Sequence, residues 1–433
     1  MHLLIKNGLV IDPAQQLCAV QNVFVVDGKI AALQTAPTGF HATQTIDATG
    51  LVVSPGLVDL AARLREPGQE YKATLESEMQ AAVVGGVTSL ACPPDTDPVL
   101  DEPGLVEMLK HRTNQLAQAQ VYPIGALTLG LAGENLTEMA ELSEAGCIAF
   151  SQADAPLSDL QVLQRALQYA HTFGYRVWLR PQEATLSQGG VAHAGALASR
   201  MGLSGIPVSA ETIALHSMFE LLRNTPTTRA HVHICRISSA AGIELVRRAK
   251  AEGLPVTCDV GIHHVHLTDM DIGYFDAQAR LQPPLREQRD RSAIDAGLRD
   301  GTIDAICSDH TPVDDDHKAL PFGEAEPGAT GLELLLPLAL KWGQQVAAGE
   351  RGWVEAITRI THRAAQILNI PAGTLVPGQA ADICIFNPHT EWKVQPNALV
   401  SQGRNTPFLS YEIQGQVQTT LVGGRVVFQR RAN

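Results

Sequence analysis

Short apolar strands alternate with helical stretches through the middle of the chain, between about residues 54 and 364. Helices are predicted, for example, at 158–173 and 240–252. This alternation favours a parallel sheet with crossover helices, and eight such strands close naturally into a (β/α)8 barrel of the TIM type, in the α/β class. The first of these strands ends near residue 61, and the other seven are predicted at 86–91, 120–124, 147–150, 176–179, 230–234, 255–259 and 305–308.

The two ends of the chain differ from its middle, because they are rich in strand patterns without the alternating helices. Asn-Gly and Asp-Gly pairs, which are typical of tight turns, punctuate the first of these patterns. We expect the ends to join in one small β-sandwich of residues 1–53 and 365–433, beside a barrel at 54–364. The strand patterns of the ends lie at 3–12, 22–33, 381–387 and 416–428.

Composition limits the partners and the compartment. The formal net charge of −13 argues against nucleic acid or an anionic membrane as a main partner. No apolar run approaches the ~20 residues of a membrane span, and the first residues lack the pattern of a signal peptide. The seven cysteines form no Cys-x-x-Cys pair and lie mostly in apolar runs, so we expect buried free thiols in a reducing cytoplasm.

The segment at residues 55–68 carries the strongest motif of the chain. Functional side chains of such a barrel lie where its strands end, and this segment reads P-G-L-V-D-L-A-A-R-L-R-E-P-G. It resembles the signature P-G-x-x-D-x-H-x-H-x-R-x-P-G of the cyclic amidohydrolases, dihydroorotase above all. The resemblance puts Ala61 and Arg63 where the family has two metal-binding histidines. Arg65 matches an arginine that holds the substrate carboxylate.

The resemblance covers essentially the whole chain, and other strand ends depart from the family in the same way. In A-C-P-P-D-T, Asp95 replaces an asparagine that contacts the substrate; in A-F-S-Q-A-D, Gln152 replaces an aspartate ligand. Arg180 in W-L-R-P-Q-E and Arg236 in H-I-C-R-I-S each replace a ligand histidine. A carboxylate at position 95 should repel an anionic substrate unless it is itself paired.

Some features of the family are kept. The stretch S-D-H-T-P-V resembles T-D-H-A-P-H, which puts Asp309 at the position of the catalytic, metal-touching aspartate and Val313 at that of a substrate-contacting histidine. Residues 261–269 and 282–286 resemble T-P-H-H-L-x-L-T-D and N-P-P-L-R. The resemblance therefore implies an amidohydrolase barrel whose metal-site and substrate-site positions are vestigial.

These substitutions bear directly on metal binding. A dihydroorotase uses a divalent metal to polarise the amide carbonyl and to lower the pKa of the attacking water. Zinc normally takes three protein ligands and a water, and of the expected ligands only Asp309 clearly survives. A guanidinium at ~4 Å opposes each unit of metal charge by roughly 4 kcal/mol at an effective dielectric near 20. We therefore predict no metal, no other cofactor and no functioning catalytic residue.

Without its metal, Asp309 would be a costly buried charge. The guanidinium group of an arginine can supply the positive charge that the metal would have supplied, and it can form two parallel hydrogen bonds with a carboxylate. We therefore predict an ion pair between Asp309 and Arg63, Arg180 or Arg236. Arg65, which is retained without a visible substrate role, is expected to be structural.

The pattern of intact packing motifs and lost ligands resembles one group within the family. This group is the non-catalytic dihydroorotase-like chain that some bacteria use as a partner of aspartate carbamoyltransferase, in de novo pyrimidine biosynthesis. The resemblance implies a hetero-oligomer with the catalytic transcarbamoylase chains, a dodecamer, together with contacts between copies of this chain as in a homodimer.

Other interpretations remain open from the residues. Asp309, the arginines or Cys307 could perform metal-free chemistry in a repurposed enzyme. His263, His264 and His266 could form a new metal site, although hydrogen-bonded core histidines are the simpler interpretation. The three arginines could also hold an anion, such as a phosphate or a carboxylate, instead of pairing internally.

Overall fold

The computed structural model describes residues 2–224 and 231–431. Residue 230 of the predicted strand at 230–234 lies outside the described residues, as do residues 1, 432 and 433 of the predicted end domain. The strands are β1 (His2–Asp12), β2 (Leu17–Val26), β3 (Lys29–Leu33), β4 (Gln44–Asp47), β5 (Val52–Pro55), β6 (Leu57–Asp59), β7 (Val87–Cys92), β8 (Gln120–Ala126), β9 (Ala149–Ser151), β10 (Arg176–Leu179), β11 (Ala192–His193), β12 (Gly205–Ile206), β13 (His231–Ile234), β14 (Val256–Gly261), β15 (Ala305–Cys307), β16 (Ile383–Lys393), β17 (Glu412–Val422) and β18 (Arg425–Gln429).

Helices connect most of the strands in the middle of the chain. They are α1 (Leu75–Val84), α2 (Pro103–Leu116), α3 (Met139–Ala145), α4 (Leu160–Phe173), α5 (Ala184–Ser187), α6 (Ala196–Met201), α7 (Val208–Arg223), α8 (Ala240–Ala251), α9 (Ile262–His266), α10 (Gln288–Asp300), α11 (Asp315–Lys318), α12 (Leu335–Val346), α13 (Glu350–Ile360) and α14 (His362–Leu368). Among the described residues, no helix has both the length and the apolar character that crossing a membrane requires.

Helix α4 illustrates how the local sequence sets these elements. Asp159 begins it by accepting a hydrogen bond from the Gln161 amide at 2.7 Å, and Gly174 ends it with a φ of 74° that suits glycine. Its buried residues recur at helical spacing, so one face packs onto the barrel. They are Val162, Leu163, Ala166, Leu167 and Ala170.

Both ends of the chain contribute to one eight-stranded sheet. Its order is β18-β17-β16-β5-β1-β2-β3, with β4 paired to β1. Apolar side chains from both ends, including Ile5, Val23 and Ile383, share one buried cluster. The predicted joining of the two ends is therefore confirmed.

One predicted turn of this sheet is wrong. Asp27-Gly28 makes the turn between β2 and β3, but Asn7-Gly8 lies inside β1. Asn7 takes a left-handed φ of 64°, and the register of β1 against β2 shifts at this point. Because β1 pairs with β2 on both sides of the shift, the Asn-Gly pair forms a bulge and the strand continues.

The second large sheet is the barrel, in the order β15-β14-β13-β10-β9-β8-β7-β6 with parallel pairing throughout. Its first and last strands meet just beyond their ends, where Ala62 and His310 form a parallel bridge and the Arg63 amide donates to the His310 carbonyl at 2.9 Å. Asp59 adds two hydrogen bonds across this junction, from the amide and the hydroxyl of Ser308 at 2.7 and 2.5 Å. The predicted barrel is thus present and nearly closed.

Candidate functional site

Six charged side chains converge beyond the carboxyl ends of six barrel strands, and we call them the arginine–aspartate network. Each follows a different strand, so the parallel barrel brings together residues that are far apart in sequence. They are Arg63 after β6, Asp95 after β7, Asp154 after β9, Arg180 after β10, Arg236 after β13 and Asp309 after β15.

Arg63 contacts three carboxylates from the centre of the network. Its Nε lies 2.7 Å from Asp95 Oδ2, its Nη2 lies 2.8 Å from Asp154 Oδ2, and its Nη1 lies 3.8 Å from Asp309 Oδ1. Nη1 also donates to Thr311 Oγ1 at 3.1 Å. Burial alone would lower the pKa of Arg63, but Asp95 and Asp154 outweigh it and raise that pKa above its ordinary value. Asp95 is therefore paired, which was the condition for a carboxylate at this position.

The predicted ion pair of Asp309 is confirmed, and its main partner is Arg236. Arg236 Nη1 lies 2.9 Å from Asp309 Oδ1 and also donates to the Gln282 carbonyl at 3.2 Å. Its Nη2 donates to Asp154, and its amide donates to Asp259 Oδ1 at 2.5 Å. Burial raises the pKa of Asp309, and Arg236 and Arg63 oppose that shift.

Asp154 is the hub of the network, and the sequence interpretation missed it. It contacts Arg63 and Arg236 as described, and its Oδ1 lies 2.6 Å from Arg180 Nε. Burial tends to raise its pKa, but the three arginines prevail and hold that pKa well below the ordinary 3.8. The sequence did contain a signal for it. Three arginines and two acids, Asp95 and Asp309, leave one positive charge without a partner.

The substituted neutral positions offer no ligand atom to the site. Ala61 has only a methyl group, and Val313 is buried, with its amide donating to Asn405 Oδ1 at 3.0 Å. Gln152 is turned away, since its Oε1 accepts from Thr128 Oγ1 at 3.0 Å and its Nε2 donates to the Leu131 carbonyl at 2.7 Å. Beside Ala61 a cavity of about 30 Å³ remains, which is room for about two water molecules.

These residues do not fit the divalent metal of the family. Asp309 supplies the one carboxylate that matches the family's ligands, and its Oδ1 is already held by Arg236. The other matched positions present a methyl group, an engaged amide and three guanidinium groups, which cannot donate a lone pair.

Arg65 braces the loops at the barrel mouth. Its Nε donates to the Pro312 carbonyl at 2.8 Å, its Nη1 donates to Gln69 at 3.2 Å, and its Nη2 lies 3.8 Å from Glu326. Burial and the nearby Arg63 lower its pKa. These contacts agree with a structural role.

The backbone at the site keeps an unusual conformation. A left-handed φ, which is uncommon for residues other than glycine, occurs at Arg65 (64°), Ala153 (49°), Arg236 (55°) and Asp309 (47°). Such conformations cluster at functional sites because surrounding structure must hold them. The strand-end loops thus retain a shaped site although its side chains have changed.

Among the described residues, the histidine cluster is not brought together as a group of metal ligands. The three histidines lie on the short helix α9 instead of a strand end, so His264 and His266 face different partners, the Pro283 carbonyl at 3.1 Å and the Leu338 carbonyl at 2.9 Å. Both ring nitrogens of His263 are buried and have no hydrogen bond to the part of the chain that the structure describes. Burial lowers the pKa of each ring to about 4, so all three are neutral core histidines.

One other group, His193 with Glu287 and Asp290, brings three possible ligand atoms within 4.8 Å of one another among the described residues. Arg286 Nη1 donates to His193 Nδ1 at 3.0 Å, so Nδ1 is the acceptor and the hydrogen of the neutral ring is on Nε2. A ring nitrogen that carries hydrogen cannot bind a metal, and the group is better described as a polar brace.

Cys307 and His310 are both deeply buried beside the network. Burial raises the pKa of the Cys307 thiol well above its ordinary value, which suppresses the reactive thiolate. His310 Nε2 lies 2.5 Å from Glu78 Oε2, and its Nδ1 accepts from the Gly331 amide at 3.1 Å. His310 therefore holds the loop after β15 in place.

Comparisons with known proteins agree with this fold. A family model for dihydro-orotase-like proteins matches residues 50–241. A dihydroorotase-like protein of Pseudomonas aeruginosa is 43% identical over 429 residues, covering 99% of this chain and 100% of that relative. A dihydroorotase of Pelotomaculum thermopropionicum is 41% identical over 431 residues, covering 100% and 99%. The L-hydantoinase of Arthrobacter aurescens shares the fold, with a TM-score of 0.86 at 23% identity over 99% of this chain and 96% of its own. From the full-length relatives, the chain belongs to the dihydroorotase-like family.

Proposed function

We propose that this chain is a non-catalytic dihydroorotase homologue that supports the assembly and activity of aspartate carbamoyltransferase in de novo pyrimidine biosynthesis. It acts as a subunit in a hetero-oligomer with the catalytic chain of that enzyme. The observation that carries the proposal is the arginine–aspartate network, because it fills the strand ends from which the family holds its metal and its substrate.

Electrostatics supports the loss of metal-dependent hydrolysis. A metal on Asp309 would face two guanidinium groups, because Arg236 Nη1 lies 2.9 Å and Arg63 Nη1 lies 3.8 Å from Oδ1 of this carboxylate. A complete structural zinc site contributes on the order of 10–16 kcal/mol. Each guanidinium group opposes the metal by roughly 4 kcal/mol per unit of metal charge. With one carboxylate as its ligand, the metal would therefore keep little of the binding free energy of a complete site.

The rest of the barrel supports a protein kept for its fold. The junction between β6 and β15, the Asp59–Ser308 bonds and the His310–Glu78 pair are all satisfied. The changes concentrate where ligands and substrate contacts belong. This distribution is expected when the surface of the barrel is still used and its chemistry is not.

Co-expression with the aspartate carbamoyltransferase catalytic chain of the same organism tests the proposal. We expect the two chains to co-purify, and native mass measurement should give one hetero-oligomer of fixed stoichiometry. Carbamoyltransferase activity should fall when this chain is left out. Separate elution of the two chains, with full transferase activity from the catalytic chain alone, would refute the proposed role.

A second candidate is ring-opening hydrolysis of the dihydroorotase type, by an unusual metal site or without metal. Full-length relatives named dihydroorotase at 38–41% identity favour it. Metal analysis together with a dihydroorotate hydrolysis assay separates the two candidates. One metal per chain with turnover supports the enzyme, whereas substoichiometric metal without turnover supports the non-catalytic subunit.

A further inference from the structure

A second cavity borders the network at Arg180, between α4, α7 and the end of β10. Its volume is about 200 Å³, larger than the 30 Å³ left at the barrel centre. Cavities of ~150 Å³ with apolar walls hold a benzene ring, so this one has room for a ring with a substituent. Its walls are largely apolar, with side chains that include Leu157, Leu160, Leu163, Leu179, Ile213 and Met218.

Arg180 is the buried cation in the wall of this cavity, with a side chain that is 5% exposed. Its Nε lies beside the Asp154 carboxylate and its Nη2 donates to the Asp154 carbonyl at 2.9 Å. Its Nη1 has no hydrogen bond to any residue that the structure describes. Its N–H donors are therefore free for an acceptor from a ligand, and a hydrogen bond between a guanidinium and a carboxylate is among the stronger ones.

Charge compensation is also weakest at Arg180. Among the described residues, Arg63 contacts three carboxylates and Arg236 contacts two, whereas Arg180 contacts only that of Asp154, which it shares with both. In keeping with this, burial lowers the pKa of Arg180, while the pKa values of Arg63 and Arg236 are raised. An anionic group is therefore better matched to Arg180 than a neutral one.

The other charged lining residue does not compete for Arg180. Glu183 is engaged at the start of α5, where its carboxylate accepts from the Leu186 amide at 2.7 Å and from Thr185 Oγ1 at 2.6 Å. From the apolar walls and the buried cation, we propose that this cavity binds a small monocarboxylate with a ring-sized apolar body. The carboxylate lies on Arg180 Nη1 and the ring lies between α4 and α7.

Benzoate is the probe, and its binding to the full chain can be measured by calorimetric titration. We expect a dissociation constant on the order of 1 mM or tighter, as is reasonable for a ligand of this size. Acetate lacks the apolar body and benzamide lacks the charge, so each should bind at least about tenfold more weakly. Benzamide binding as tightly as benzoate would overturn the role of Arg180.

Two variants locate the site. Arg180→Met removes the cation, and Ala214→Phe fills the cavity from α7 while keeping all six network residues. Each should weaken benzoate binding at least about tenfold. His216→Phe is the matched control, because His216 is an exposed residue of the same helix outside the cavity wall. Benzoate binding that is absent in the wild-type chain at about 20 mM, or unchanged in Ala214→Phe, would refute the site.

Discussion

Replacement of Asp154 by asparagine is the most direct perturbation of the network. The change keeps the shape of the side chain but removes the negative charge that three arginines share. Arg63 and Arg236 keep Asp95 and Asp309 as partners, whereas Arg180 loses the one carboxylate that it contacts. The variant therefore leaves a buried guanidinium without an ionic partner.

The size of the effect follows from burial. Removing one partner of a buried ion pair costs about 3–5 kcal/mol. The Asp154 side chain is 32% exposed, and solvent screening puts the expected loss at the lower end, about 3 kcal/mol of the free energy of unfolding. Urea unfolding followed by tryptophan fluorescence at neutral pH measures this quantity.

The pH dependence of the unfolding free energy gives a second test of the same variant. Because the pKa of Asp154 is lowered in the folded state, its stabilisation is fully present above the unfolded value and is lost as the pH falls through the folded value. The difference in unfolding free energy between wild type and Asp154→Asn should stay constant from about pH 5 to 8 and shrink below about pH 4.

The control is Glu252→Gln, the same carboxylate-to-amide change in the exposed pair with Arg223 at 2.7 Å. Exposed pairs contribute little, so this variant should be nearly as stable as wild type. If Asp154→Asn and Glu252→Gln were equally stable, Asp154 would not hold the network together and the reasoning would fail.

Other variants and reagents test other parts of the site. Restoring the family histidines should give little dihydroorotate turnover in a hydrolysis assay, because the substrate-contacting positions remain changed. The four restored positions are Ala61, Arg63, Arg180 and Arg236. Arg63→Lys should lower the free energy of unfolding in urea by about 2 kcal/mol, since an ammonium cannot bind Asp95 and Asp154 with the same fork geometry. A thiol reagent should label exposed Cys18 in the folded chain and buried Cys307 only after unfolding, as mass analysis of labelled peptides would show.

The fold was largely predictable because its signals are periodic. Strand and helix alternation identified the barrel, and predicted helices at 158–173 and 240–252 match α4 and α8 within two residues. The Asn7-Gly8 pair was misinterpreted, because the same left-handed conformation serves a hairpin turn and a bulge. Pairing with the neighbouring strand decides between a turn and a bulge, and a local sequence pattern carries no information about that pairing.

The site was predictable in part for a different reason. The replaced ligand positions identified Arg63, Arg180 and Arg236, and the retained one identified Asp309. Charge pairing then required a partner for Asp309. Asp154 lies two residues beyond the replaced ligand Gln152, and nothing local distinguishes it from an exposed loop acid. Its role depends on where three other strands end, which the sequence order of those strands does not reveal.

The network and a metal centre hold a barrel mouth together under different conditions. A metal needs deprotonated ligands and a supply of the ion, so its contribution depends on pH and on metal concentration. Guanidinium groups keep their charge at any physiological pH, and the lowered pKa keeps Asp154 ionised as well. The strand ends of this chain are therefore joined by charges of the protein itself, and those of the arginines and of Asp154 do not titrate near neutrality. That independence fits the proposed role of a subunit whose surface must stay constant for its partner, and it comes from the same substitutions that remove the metal ligands of the family.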